Sequence, residues 1–194
     1  DMSINFMVVL EEISTAILDA IGDALRKSKV QIELLTLSEE DLRSSTDVFP
    51  IKFLDIKRNH VIYRGKDVMS DLEISRDNLR LRCEQEIKNL MLRLRLNYVS
   101  RKQNSKSIAS LLNRIYLSLI RNLGVLVELK SGDVLVTNSD IIKGVGKLGI
   151  DIMALHDVEK LRQDNFSVEL EDRKRLLEKV MHCVRDAAAM ADKL

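Results

Sequence analysis

The sequence is poor in the residues that build β-sandwiches, disulfide scaffolds and membrane spans. It has no tryptophan, one proline, seven glycines, and aromatics at only 4% of 194 residues. That is lean for a sandwich or barrel of many short strands and turns, and it favours helices. Two cysteines, Cys83 and Cys183, cannot make a disulfide framework or a complete zinc site by themselves, so reduced, buried thiols are expected. No apolar run reaches the roughly 20 residues of a membrane-spanning helix. The start, Asp1-Met2-Ser3, has no basic segment ahead of its apolar stretch and lacks the layout of a secretory signal. A cytoplasmic protein without a membrane partner is the expectation. Excess charge is missing too: 31 basic against 30 acidic residues exclude a bulk nucleic-acid or membrane signature. Hydrophobic residues at 45% exclude global disorder.

What charge there is lies unevenly. Residues 1–74 hold nine Lys/Arg against fourteen Asp/Glu, and residues 75–194 hold 22 against 16. The texture changes at the same place, from short apolar runs alternating with amphipathic pieces to a sustained helical period. Two domains, 1–74 and 75–194, follow.

In the first, Ile4–Leu10 is β-branched and apolar and reads as a strand covered on both faces. Residues 11–28 carry Ile13, Ile17, Ile21 and Leu25 at helical spacing. Residues 30–37 form a second strand, after which Ser38 and Asp41 fit a capping box. Residues 47–57 have helical spacing, with Pro50 suited to a first turn. Val61-Ile62-Tyr63 reads as a short strand closed by a turn at Gly65. In the second domain Leu79, Cys83, Ile87, Leu90, Leu94 and Tyr98 run down one face of a helix of about 25 residues. A second long helix carries Ile108, Leu111, Ile115, Leu119, Leu123 and Leu126. Shorter helices over 139–149 and 151–162, and a last one over 170–192, complete a bundle. The fold class is α+β, an α/β domain followed by an all-α helical bundle, with oligomers open to it through the bundle.

Few motifs carry chemistry. Gly144-Val145-Gly146-Lys147-Leu148-Gly149 approaches a phosphate loop but lies inside a helical run, where such a loop does not belong. His60, His156 and His182 are isolated in sequence. Residues 76–102 carry eight basic against three acidic residues. Without interleaved aromatics, that excess reads as a solvated face with pairs such as Glu84–Lys88 rather than an RNA surface. At the start of the strands stand Ser3, Asn5 and Glu33. Enzymes that transfer nucleotidyl groups hold Mg²⁺ with carboxylates on adjacent strands, but alone Glu33 reads as a solvent-facing strand residue.

Ser3-Ile4-Asn5-Phe6-Met7-Val8-Val9 resembles the second half of the nucleotidyltransferase signature of the DNA-polymerase-β-like superfamily, Gly-Ser, a spacer, then Ser-Asp-x-Asp and an apolar strand. The block from Ser45 to Asp67, with Phe49-Pro50-Ile51-Lys52-Phe53-Leu54-Asp55-Ile56-Lys57, His60 and Gly65-Lys66-Asp67, is similar to prokaryotic nucleotidyltransferase-domain proteins. So is the helix start at Leu79–Glu86. The resemblance covers roughly residues 3–130. It implies a nucleotidyltransferase domain and a helical bundle in the kanamycin-nucleotidyltransferase-like layout. It also implies Mg²⁺-dependent transfer of a nucleoside monophosphate from a nucleotide triphosphate to a protein, small-molecule or RNA acceptor. By this likeness Ser3 takes a nucleotide-binding role, Asn5 a metal position, and Glu33 a catalytic and metal-binding one. The sequence departs from the pattern in three ways. The Gly-Ser half is absent, Ser-Asp-x-Asp is reduced to Ser3-Ile4-Asn5, and Lys52 stands where Glu is usual. An incomplete or degenerate first domain is therefore expected. Whether the chain is an enzyme or a binding module turns on those acids.

Overall fold

The computed structural model describes residues 4–100, 104–163 and 169–194. The chain is mostly helical, with one small parallel sheet, and divides into two compact units, residues 1–75 and 76–194. Among the described residues no helix is long and apolar enough to cross a membrane.

The first unit begins with β1 (Ile4–Leu10), α1 (Thr15–Lys27) and β2 (Ile32–Ser38). The strands pair in parallel, which a crossover helix between them makes possible. Ser14 caps α1 by accepting a hydrogen bond from the Ile17 amide. α2 (Glu39–Ser44) opens on the reciprocal box expected from its sequence. The Asp41 amide donates to Ser38 Oγ at 2.9 Å, and the Ser38 amide donates to Asp41 Oδ2 at 3.0 Å. These bonds from Ser38, the backbone one foremost, hold the Asp41 carboxyl below its ordinary range. α3 (Pro50–Arg58) has its proline in the first turn, where the missing N–H costs nothing. Leu42, Phe53, Met69 and Leu72 form the core of the unit, with Met7, Val9 and Leu37 of the sheet packed against it.

Two expectations for this unit need correction, and the first helix packs more loosely than the core. β1 is not covered on both faces, because Ile4, Asn5 and Phe6 are exposed. α1 has a clear apolar face but no buried residue, since Ile13, Ile17, Ile21 and Leu25 are only half-buried. Two strands make a surface only about 10 Å wide, too narrow to cover a helix. Residues 61–63 form no strand, because nothing pairs with their backbone among the described residues.

The second unit is a bundle of α4 (Arg76–Val99), α5 (Ser105–Ser131), α6 (Asn138–Lys147), α7 (Met153–Gln163) and α8 (Leu170–Ala191). Asn104 caps α5 through its side chain, and Gly132 ends it in the left-handed conformation at φ +81°. α5 packs against each of the other four helices, which is why its buried residues are not confined to one stripe. Most of the expected faces are buried, Leu79, Cys83, Ile87, Leu90 and Leu94 on α4 and Leu177, Val180, Val184 and Ala188 on α8, while Tyr98 and Met181, expected on the same faces, are only half-buried. Both cysteines are free and buried, and burial pushes their thiols up to about 12. Nothing lies within 4 Å of a Cβ built on Gly132, so Gly132→Ala tests backbone conformation alone. A loss of about 1 kcal/mol is expected in urea unfolding, and no loss would mean that the chain leaves α5 by another route.

Candidate functional site

The sheet brings together two of the three residues to which the family resemblance assigns a site role. In the parallel register Asn5 lies directly opposite Glu33. Partners in register share a face, and alternation puts these two on the same face as Met7, Val9 and Leu37. That face is anchored at its far end on the Phe53 core, while Asn5 and Glu33 stand exposed at the opening of the strands. Neighbouring strands run about 4.8 Å apart, so one small ligand can touch both side chains. Ser3 lies outside the described residues.

Chemically the pair is one carboxylate and one neutral amide. Asn5 offers a carbonyl oxygen and an NH₂ group, and Glu33 two acceptor oxygens. Among the described residues, no three His, Cys, Asp or Glu side chains come close enough to hold a metal ion together. The donor set does not fit a pair of Mg²⁺ ions, which need several charged oxygens to displace their water.

Beyond the sheet, a loop is fixed by contacts that helical and strand periods do not reveal. His60 Nε2 lies 3.2 Å from Asp67 Oδ1, and its Nδ1 lies 3.0 Å from the Ile56 carbonyl. Asp67 Oδ1 also accepts from the Met69 and Ser70 amides at 2.9 and 3.1 Å. Partial burial works to raise the Asp67 carboxyl, but the two amides and His60 outweigh it and hold it below its usual range. Lys57 Nζ donates to the Leu72 carbonyl at 2.9 Å, tying α3 to the end of the unit. With Gly65 turning at φ +94°, these bonds present Val61, Ile62 and Tyr63 outward. The Tyr63 ring meets Phe6 edge-on at 6.1 Å. His60 is thus a positioning residue of a loop. The only hint in the sequence was the His60…Gly65-Lys66-Asp67 pattern.

No protein-family model matches the chain, and no curated protein or solved structure matches it.

The other motifs resolve into packing and ion pairs. Gly144 and Gly146 sit within α6, not in a loop after a strand. A Cβ on Gly144 would fall 2.6 Å from Leu135 Cδ1 and 3.1 Å from Val127 Cγ1, so this glycine lets α6 approach α5 closely. Three of the basic residues of α4 are held by partners within the bundle. Arg82 pairs with Glu86 at 2.6 Å, Lys88 with Glu84 at 2.7 Å and with Asp192 at 2.5 Å, and Arg76 donates to the Leu129 carbonyl. Arg101 and Lys102 lie outside the described residues.

Proposed function

We propose that this chain is a nucleotidyltransferase-family protein whose first unit contributes a nucleotide-facing edge, with Glu33 as its carboxylate and Asn5 as its neutral neighbour. The observation that supports the reading is the register of β1 and β2, which sets Asn5, the signature's metal position, beside Glu33, the carboxylate that the resemblance adds to it. The ligand is a nucleotide triphosphate, and the acceptor is a protein, a small molecule or RNA. In the family, Mg²⁺ activates the attacking oxygen and neutralises the leaving pyrophosphate. Asn5 and Glu33 alone do not supply the charge to hold two such ions. Their part is to orient: Asn5 can donate to or accept from a sugar hydroxyl, and Glu33 can accept from one. Two buried, unpaired thiols accord with a reducing, cytoplasmic setting.

A second reading rests on the same neutral amide: a module that keeps the fold and binds without transferring. Labelled-nucleotide incorporation separates the two. Little or no Mg²⁺-dependent transfer is expected from the 194-residue chain. Asn5→Asp is expected to tighten Mg²⁺ binding, and Glu33→Gln to weaken binding of a nucleotide triphosphate. Robust incorporation by the unaltered chain would overturn the assignment of Asn5 as a disabling residue. Nucleotide binding indifferent to Glu33→Gln would remove the site from this edge.

A further inference from the structure

His60 follows Asn59, the residue that closes α3, and both of its ring nitrogens meet acceptors. Nδ1 lies 3.0 Å from the Ile56 carbonyl and 3.2 Å from the Lys57 carbonyl, both in the last turn of α3. Nε2 lies 3.2 Å from Asp67 Oδ1, on the far side of the loop. Carbonyl and carboxylate oxygens only accept, so each side of the ring calls for an N–H. The neutral imidazole carries one such proton and the imidazolium carries two. A neutral ring here therefore sets a nitrogen lone pair against an oxygen, at whichever end gives up its proton.

The surroundings favour the second proton. The last carbonyls of α3 are the negative end of its dipole, where a cation is stabilised. Asp67 is in no position to supply a proton of its own. Partial burial works to raise its carboxyl, but the Met69 and Ser70 amides and His60 hold it below its usual range, so it stands as a carboxylate at neutral pH. The other charged groups of this stretch have different partners or face water. Lys57 donates to the Leu72 carbonyl, Asp55 accepts from the Asn59 side chain, and Asp71 accepts from Ser70 Oγ. Arg58, Arg64, Lys66 and Glu73 are exposed.

We propose that His60 is a proton-operated latch: as the imidazolium it fastens residues 60–70 between the end of α3 and Asp67, and loss of one ring proton to water releases one of those two ends. The latch holds an apolar display. Between His60 and Asp67 the chain turns at Gly65 and carries Val61 and Tyr63, which are 93% and 86% exposed. The Tyr63 ring rests edge-on against Phe6 of β1, itself exposed. Shut, the latch keeps Tyr63 on Phe6; open, it lets Tyr63 go and uncovers that side of β1. The sign follows from the bonds: the loop is fastened on the acid side and loosens as pH rises. Asp67 stays charged through that change, because its own protonation lies at lower pH. The inference concerns this loop and does not depend on the nucleotidyltransferase reading.

Amide hydrogen exchange of the full chain, followed by NMR from about pH 5 to pH 8 and corrected for the intrinsic pH dependence of exchange, tests it. The Met69 and Ser70 amides donate to the same Asp67 oxygen that meets the ring. Their protection should fall about tenfold or more across that range, as expected for losing one charge-assisted hydrogen bond. The ring nitrogen signals of His60 should change in the same step, and the cross-peaks between Tyr63 and Phe6 should fade with them. His60→Gln donates from a neutral amide at every pH, so its Met69 and Ser70 protection should vary by no more than about threefold. Wild-type protection that stays within about threefold while the His60 ring titrates overturns the proposal. So does a full pH response in His60→Gln. The wild-type measurement decides the matter even if the variant fails to fold.

Discussion

Phe53→Ala is expected to cost about 3–5 kcal/mol, the range for truncating a buried aromatic ring. Phe53 is the largest side chain in a core whose other buried members are Leu42, Met69 and Leu72. Its ring is also met edge-on by Phe49 at 6.4 Å. The unit has little else to fall back on, since α1 buries nothing completely and the sheet has two strands. Small units hold only a few kcal/mol in reserve, so the loss should open α2, α3 and the sheet together. Hydrogen exchange reads this directly: amide protection in α3 and β1 should fall about a hundredfold or more. Protection unchanged within about threefold would mean that the Leu42–Met69 cluster holds without the ring.

Leu94→Ala is expected to destabilise the bundle by about 2–5 kcal/mol. Leu94 is fully buried on the row by which α4 packs along α5 and α8, where Ile115, Leu119 and Val184 are also buried. Chains packed on a rigid five-helix core relax little around a lost isobutyl group, so the cavity persists and adds to the lost transfer energy. The control is two residues away. Leu96 lies on the exposed face, and Leu96→Ala should change stability by no more than about 0.5 kcal/mol. Urea titrations of the two variants decide between the faces. A Leu94→Ala cost as small as that of Leu96→Ala would mean the assignment of the buried row is wrong.

The elements that could be read from the chain alone are those whose signal is local. The long helices α4, α5 and α8 follow from apolar residues three and four apart. Ser38 and Asp41 announce α2 because a capping box is closed within four residues. Pro50 in the first turn of α3 and Gly132 at the end of α5 work the same way, through the φ each residue favours. Of the candidate site, the chain gave the residue types, a neutral Asn5 and a lone Glu33. Their adjacency came from the strand register, because a parallel pair joined by a helix has no turn to set its alignment.

Burial was the quantity that local pattern could not supply. The apolar face of α1 and the β-branched run at 61–63 both look like covered structure. Each is left open because covering it takes a neighbour, and a sheet of two strands is too narrow to be one. On α4 the buried row hid a second row, Leu81, Leu92, Leu96 and Val99, because a helix with two opposed apolar stripes has no single hydrophobic side for periodicity to find. The sequence places Gly144 in a helical run, and only the fold shows why a glycine stands there, with Val127 and Leu135 packed over it. Spacing along the chain fixes which residues share a face. Which faces meet depends on where the other helices lie, and that is set by packing among residues far apart in sequence.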